Sequence, residues 1–456
     1  MTAVRPESAV YAADSGGPAL REAFVTGDVP VAVYGLGKMG LPLAAVLADV
    51  TGNVVGADID PEVVAAVERG ESPVEGEPGL AELVAETTAA GSLRVTGDPV
   101  DAAADGRFHV VIVPTLLDDR NDPDLSALLA AVDAIAEGLS PGDLVVVEST
   151  VPPGTTRDVV APRLAERSGL DPEEFGVAFC PERTASGRAL RDIRGAYPKV
   201  VGGVDAESER VASLLYDEVT SNEVVRAGDA TSAECVKVFE GVYRDVNVAL
   251  ANELARVADP LDVDVRRAIE VANTQPFCHI HDPGPGVGGH CIPLYPHFLT
   301  SQVETDLPLI ETSRSVNDAM PAFVTSSVVK LLGDEGTDVA DADVLLLGVA
   351  YRAGVDETRK APARPIARAL SKLGADVYAT DPVVDVGEVP DLEATPLDHD
   401  DIESAASQFD AVVLVTAHED YETVAFDAFE NGVVVDTRDV VEDDSPAVYT
   451  IGSGRS

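Results

Sequence analysis

Val31-Ala-Val-Tyr34, followed at once by Gly35-Leu-Gly-Lys-Met-Gly40, is the stretch on which the reading of this chain turns. A β-branched run predicts a strand, and the helical pattern from Leu41 to Val50 predicts a helix directly after the glycines. A second strand is expected from Asn53 to Ala57, ending at Asp58. The spacing of 23 positions from Gly35 to Asp58 suits one βαβ unit. In that setting Gly35 permits the tight turn, Gly37 lets backbone amides approach a pyrophosphate, and Gly40 allows close packing of helix on strand. Asp58 is placed to hydrogen-bond a ribose 2′-hydroxyl, which favours NAD over NADP.

Working outward, strands are expected at His109–Val113, Leu144–Val147 and Gly176–Phe179, with helices near 61–69, 124–138 and 155–166. Alternation of this kind predicts a parallel sheet with helices on both faces. From about 206 to 272 the pattern becomes helical, longest from Ala230 to Ala258, before a loop rich in Pro and Gly, His281 to Pro293. Alternation resumes at Val344–Gly348, Asp376–Ala379, Ala411–Val415 and Val433–Val435, in a lobe without its own GxGxxG. The expected fold is α/β: two Rossmann-like, doubly wound lobes joined by a central helical domain. Its expected divisions are a loose tail at 1–28, an NAD-binding lobe at 29–205, a helical connector at 206–330 and a second α/β lobe at 331–456.

A chain of 456 residues has room for two or three domains with cores of their own. Its 80 acidic and 32 basic residues leave a net charge of −48, which repels phosphodiester backbones and argues against nucleic-acid binding. The acids are spread along the chain and 45% of residues are hydrophobic, so the chain is expected to fold. No apolar run is long enough to cross a membrane, and the first residues lack the basic head and apolar block of a secretory signal. A soluble, cytoplasmic protein is expected.

Four cysteines, Cys180, Cys235, Cys278 and Cys291, are too few and too irregular for a disulfide framework. Cys291 lies directly after Gly284, Gly286, Gly288, Gly289 and His290, in a loop where a thiol is well placed for attack. A buried structural cysteine is the plainer alternative. A zinc site is the other, since Cys278, His279, His281, His290 and His297 lie nearby, yet their spacing matches no finger or ribbon and no metal is expected. Lysine occurs only six times, which makes Lys237, inside a helical run with apolar flanks, more informative than a lysine usually is.

These residues carry a resemblance. The chain resembles the UDP-glucose/UDP-mannose dehydrogenase family, the nucleotide-sugar dehydrogenases. The matches are Gly35 to Gly40, Glu148-Ser-Thr-Val-Pro-Pro-Gly154, Cys180-Pro-Glu-Arg-Thr184, Pro198-Lys-Val-Val-Gly-Gly203, Ala233 through Asn247 with Asn252-Glu253, Pro283 to Pro293, and Gly348-Val-Ala-Tyr-Arg352 with Asp356-Glu-Thr-Arg359. They cover about residues 30 to 440. The Gly-Gly-His-Cys-Ile-Pro form is similar to the branch acting on UDP-N-acetylhexosamines, especially UDP-N-acetylmannosamine.

The resemblance implies oxidation of a sugar C6 alcohol to a carboxylate with two NAD, making uronate for surface glycans. It implies Cys291 as the nucleophile that forms a thiohemiacetal and then a thioester, Lys237 as the partner of the C6 oxygen, and Glu182 as the group handling water and protons. It places Thr115, Thr150 and Arg359 beside the cofactor, with Gly35, Gly37, Gly40 and Asp58. It places Arg244, Asn247, Gly288, Gly289, His290 and Arg352 on the substrate side, and makes the helical connector a dimerisation domain. Two positions depart from the family pattern. Gly241 stands four residues after Lys237, where asparagine is usual, and Tyr295 stands four residues after Cys291, where aspartate is usual. They leave a second reading open, a paralogue that binds NAD and UDP-sugar with impaired chemistry.

The acidic composition predicts adaptation to a salty cytosol, in which screening tames self-repulsion. On moving from molar to dilute KCl the folded circular dichroism signal is expected to fall; a signal indifferent to salt counts against that adaptation.

Overall fold

Val31–Tyr34 (β1), Val54–Ala57 (β2), Leu93–Thr96 (β3) and Phe108–Val111 (β4) form one side of the first sheet. A small hairpin, Leu116–Leu117 (β5) with Pro123–Asp124 (β6), leaves it, and Leu144–Val147 (β7), Gly176–Phe179 (β8), Lys199–Gly203 (β9) and Val224–Arg226 (β10) complete the other side. The computed structural model describes residues 9–12, 17–429, 432–441 and 448–455. They form two compact units, one running to Phe239 with His297–Glu304 added, the other comprising Glu240–Pro296 and the chain from Thr305 onward.

The strand order of the first sheet is β10-β9-β8-β7-β4-β1-β2-β3. All four residues of β1, β4, β7 and β8 are buried, because helices cover both faces and leave no side for polar residues. Val31 and Val33 feed one core, Ala32 and Tyr34 another, as a doubly wound sheet requires. The expectation of an all-parallel sheet fails at one place: β9 runs antiparallel to β8, pairing Ala178 with Gly203 and Phe179 with Gly202. Residues 180–198 between them are spent on an extended loop and short helical turns rather than on a full crossover helix.

The stretch read as a loose tail is folded where it is described, residues 1–8 and 13–16 lying outside the described set. Gly17–Val25 form a helix that buries Leu20 and Phe24. Phe24 meets Phe108 edge to face with centroids 5.9 Å apart. Val10 and Tyr11 donate their amides to the Gly142 carbonyl. Apolar residues at 20 and 24, one helical turn apart, were too few in a short segment to register as a pattern.

The second unit carries Asp343–Leu347 (β11), Asp376–Thr380 (β12), Thr395–Pro396 (β13), Ala411–Leu414 (β14), Val433–Asp436 (β15), Val448–Thr450 (β16) and Gly454–Arg455 (β17). Their order is β13-β12-β11-β14-β15-β16-β17, parallel except for the last pair. Val344 and Leu346 face one core, Leu345 and Leu347 the other. The unit also holds helices Val265–Ala272, Pro308–Asp318 and Met320–Asp334. The helical region expected to stand as a connector is shared between the two units, because the helix Ala230–Ala255 runs unbroken through the division. Among the described residues no helix is long and apolar enough to cross a membrane.

Candidate functional site

In the first unit, the turn after β1 is held open by its glycines. Gly35 has φ 94°. A Cβ on Gly40 would lie 1.9 Å from the Gly35 carbonyl oxygen, so no larger residue fits there. A Cβ on Gly37 would meet nothing within 4 Å, which leaves its backbone open to a ligand. Asp58 accepts the Leu36 amide at 2.6 Å and the Asp60 amide at 2.9 Å. A carboxylate has about four acceptor positions, so Asp58 retains capacity for a ribose hydroxyl while it clamps the turn.

Two further loops end beside that turn in the fold of the same sheet. The Ser149 hydroxyl donates to the Val113 carbonyl at 2.7 Å, tying the loop that carries Thr115 to the one that carries Thr150. The Thr115 hydroxyl is buried without a hydrogen-bond partner, a donor that a bound ligand can satisfy. The open glycine turn, the clamped acid and this orphaned hydroxyl fit a dinucleotide.

Glu182 and Lys237 come together. The Lys237 ammonium donates to the Glu182 carbonyl and lies 3.5 Å from Glu182 Oε2, both side chains largely buried. The Thr184 amide donates to the Glu182 carboxylate, and the Thr184 hydroxyl reaches Met39 Sδ at 2.8 Å, which joins this loop to the glycine turn. Next to Glu182 a small pocket is lined by Met39, Ile112, Glu182, Thr184, Lys199 and Tyr216. Its wall contains a buried ion pair, Lys199 to Glu148 at 2.8 Å, with the Tyr216 hydroxyl donating to Glu148. Burial pushes the Cys180 thiol well up, so this cysteine is inert.

In the second unit, Cys291 is exposed. Its carbonyl accepts the amides of both Leu294 and Tyr295, which closes a tight turn behind the thiol. The glycines before it are dictated by contact. A Cβ on Gly288 would lie 2.8 Å from Tyr351 Cβ, and one on Gly289, whose φ is 88°, would lie 2.8 Å from the Tyr351 ring. The Gly289 amide donates to the Arg359 carbonyl at 2.9 Å. His290 Nε2 lies 3.0 Å from Glu357, and Arg359 Nη1 lies 3.0 Å from His290 Nδ1. Arginine can only donate, so Nδ1 accepts and Nε2 carries the hydrogen given to Glu357. Burial raises the Glu357 carboxyl, but its bond to His290, the Arg359 amide and the charges of both residues together bring it below the ordinary value.

The remaining expected residues belong to the long helix and the loops beside it. Both ends of the Asn247 amide are engaged with the loop, accepting from the His281 amide at 2.9 Å and donating to the His279 carbonyl at 2.6 Å. Arg244 and Arg352 are exposed. Gly241 lies inside the long helix, where glycine costs about 1 kcal/mol against alanine. A Cβ there would lie 2.1 Å from Tyr295 Cδ2, so the two departures from the family pattern are one contact.

Sequence reading missed a polar network that supports the loop. Arg314 pairs with the buried Asp245, Asn317 donates to Asp245 at 2.9 Å, Asn252 donates to Asn317 at 2.9 Å, and Gly284 donates its amide to Asn252 at 2.9 Å. It also missed Arg266 and Arg438. Arg266 is held by the carbonyls of Ile451, Pro283 and Thr437. Arg438 is pushed down to about 10 by burial and by the nearby charge of Arg266. Single arginines carry no spacing by which a sequence could single them out. Among the described residues no three His, Cys, Asp or Glu side chains gather as a metal ion requires.

A profile of the UDP-glucose/GDP-mannose dehydrogenase family, NAD binding domain, matches residues 29–220; its central domain matches 231–319 and its UDP binding domain 345–443. The chain belongs to this family. Its second sugar nucleotide is GDP-mannose, where the sequence reading had UDP-mannose. The chain is 35% identical over 435 residues to UDP-N-acetyl-D-mannosamine dehydrogenase of Pyrococcus horikoshii, covering 93% of this chain and 99% of that protein. It is 36% identical over 417 residues to NDP-N-acetyl-D-galactosaminuronic acid dehydrogenase of Ralstonia nicotianae, covering 90% and 95%. The solved UDP-D-ManNAc dehydrogenase of P. horikoshii superposes with a TM-score of 0.86 at 34% identity, covering 93% of this chain and all of that one. The protein is thus an NAD-dependent nucleotide-sugar dehydrogenase.

One buried acid sets a pH dependence. Glu234 accepts the amides of Gly154 and Thr156, fixing the loop after Thr150, and burial pushes its carboxyl up to about 7 despite those bonds. The folded state holds this proton above the ordinary value of 4.5, so stability falls as pH rises across the window from 4.5 to about 7. Urea unfolding at both ends of the window is expected to show this loss, up to about 3 kcal/mol, shrinking in Glu234→Gln. An unchanged difference between the two pH values in the variant contradicts the assignment.

Proposed function

We propose that this family member oxidises the C6 hydroxyl of a UDP-N-acetylhexosamine, UDP-N-acetylmannosamine first among them, to the uronate. The observation that carries the reading is the Lys237–Glu182 pair, a cation and an acid held within one loop contact of the nucleotide turn. The sugar assignment rests on the names of the similar proteins from P. horikoshii and R. nicotianae.

Gly35, Gly37, Gly40, Asp58, Thr115, Thr150 and Arg359 hold NAD in this proposal. Bound NAD supplies the hydride acceptor, once for each of the two oxidations. Lys237 holds the C6 oxygen and stabilises the negative charge that develops there. The Cys291 thiolate adds to the carbon of the C6 aldehyde, forming a C–S bond while the carbonyl electron pair moves to oxygen and is protonated. That thiohemiacetal becomes a thioester in the second oxidation. Water then attacks the thioester carbonyl, Glu182 takes its proton, and the C–S bond breaks to release the carboxylate and the thiol. Arg266 and Arg438 offer paired cations for the diphosphate, and Arg244, Asn247, Gly288, Gly289, His290 and Arg352 shape the sugar-nucleotide side.

A homodimer accompanies this reading. Tyr243 and Leu250, seven residues apart on the long helix, expose 54% and 47% of their surface, an apolar stripe suited to a second copy. The protein works in the cytoplasm, with the NAD pool.

With UDP-N-acetylmannosamine, UDP-N-acetylglucosamine and UDP-glucose offered separately in molar KCl, two NADH are expected per sugar, fastest with the first. Cys291→Ala is expected to abolish uronate formation, and Lys237→Ala to lower kcat by roughly 100-fold to 1000-fold. NAD binding without turnover of any of the three favours the impaired paralogue. Sedimentation of Leu250→Asp is expected to show monomers where the wild type shows dimers.

A further inference from the structure

We infer that Gly241 and Tyr295 form a ring-in-notch contact that positions the Cys291 turn, and that Tyr295 is a positioning residue for the nucleophile. The inference rests on the thiol chemistry proposed above but not on which sugar is oxidised.

Three observations within the second unit carry it. The Tyr295 side chain is buried to 7% exposure, and its Cδ2, Cγ and Cβ would lie 2.1, 2.9 and 3.0 Å from a Cβ at position 241. No residue but glycine leaves room for that ring against the backbone of the long helix. The Tyr295 amide donates to the Cys291 carbonyl at 3.0 Å, so the ring and the thiol belong to the same closed turn. His290, on the other side of Cys291, is held by Glu357 and Arg359. The thiol is therefore fixed from both sides, by an imidazole wedged between two charges and by a ring seated in a helix notch. The Gly241 notch is the half that ties the turn to the long helix. Two substitutions that read as losses, one donor and one carboxylate, thus amount to a replacement of polar groups by packing.

The contact makes the two positions energetically coupled, and a double-mutant cycle reads the coupling. In Gly241→Ala the new methyl displaces the ring. A misplacement near 1 Å costs on the order of 100-fold, so kcat and the rate of Cys291 alkylation by iodoacetamide, followed on its own peptide by mass spectrometry, are each expected to change at least about tenfold. The KM for NAD, whose glycine turn belongs to the other unit, is expected to change far less than kcat. In a Tyr295→Ala background the same Gly241→Ala change is expected to alter both rates by less than about twofold. Tyr295→Phe, which keeps the ring, is expected to recover most of what Tyr295→Ala loses.

Equal effects of Gly241→Ala in the two backgrounds overturn the inference, as does a Tyr295→Phe protein that behaves like Tyr295→Ala. Should Gly241→Ala fail to fold, recovery of folding in Gly241→Ala/Tyr295→Ala supports the notch, and failure of both overturns it. Because alkylation needs no sugar, the cycle still decides the matter if every nucleotide sugar offered proves inert.

Discussion

A carboxylate at the end of the second strand, clamping the amides of the turn that leaves the first, is the constraint on which both lobes depend. Parallel strands deliver their turns to one edge of a sheet, and the amides there have lost their strand partners. Asp58 accepts the Leu36 amide after β1. Asp381 does the same after β11, accepting Val349 at 2.7 Å and Ala350 at 2.8 Å. Each turn opens with a glycine at positive φ, 94° at Gly35 and 91° at Gly348. Burial works against the Asp381 carboxylate, but His418 and these amides hold it down at about 2. The lobes differ in the residues that come after the glycine. The first keeps Gly37 bare for a dinucleotide, and the second has the buried Ala350 at the corresponding place, two residues past its glycine.

From these clamps the site is assembled by short ties rather than by large buried surfaces. Met39 in the glycine turn receives the Thr184 hydroxyl, Thr184 holds Glu182, and Glu182 meets Lys237. In the other unit Asp245, Asn317, Asn252 and Gly284 pass support from helix to loop. Asp245 is fully buried and meets Arg314, a pairing in which removal of either partner strands the other charge. Such chains transmit position well because each member has few alternative partners.

The parts of the fold legible in the sequence were those with a repeating signal: apolar strands, the glycine fingerprint with its acid at the right spacing, and the change of period in the helical region. The helix Gly17–Val25 was not legible, since two apolar residues in a short segment make no pattern. The antiparallel turn of β9 was not either, because strand direction is decided by the path of the connection and leaves no mark on Lys199–Gly203. At the site, Lys237 and Glu182 could be paired only through the family resemblance. The meaning of Gly241 and Tyr295 was hidden for a different reason: 54 positions separate them, and only the fold brings a missing side chain opposite a large one.

The aspartates that begin helices in this chain lead to one last consequence. Asp60, Asp98, Asp205 and Asp264 each accept amides from the first turn of their own helix. In molar salt the Debye length shrinks to about 3 Å, so fields between distant surface charges vanish while bonds of 2.8 to 2.9 Å such as these survive. The acidity of the chain is in this sense of two kinds. In molar salt the fields of its surface carboxylates would be screened, and the fraction spent against the backbone is the electrostatics that such salt would leave standing.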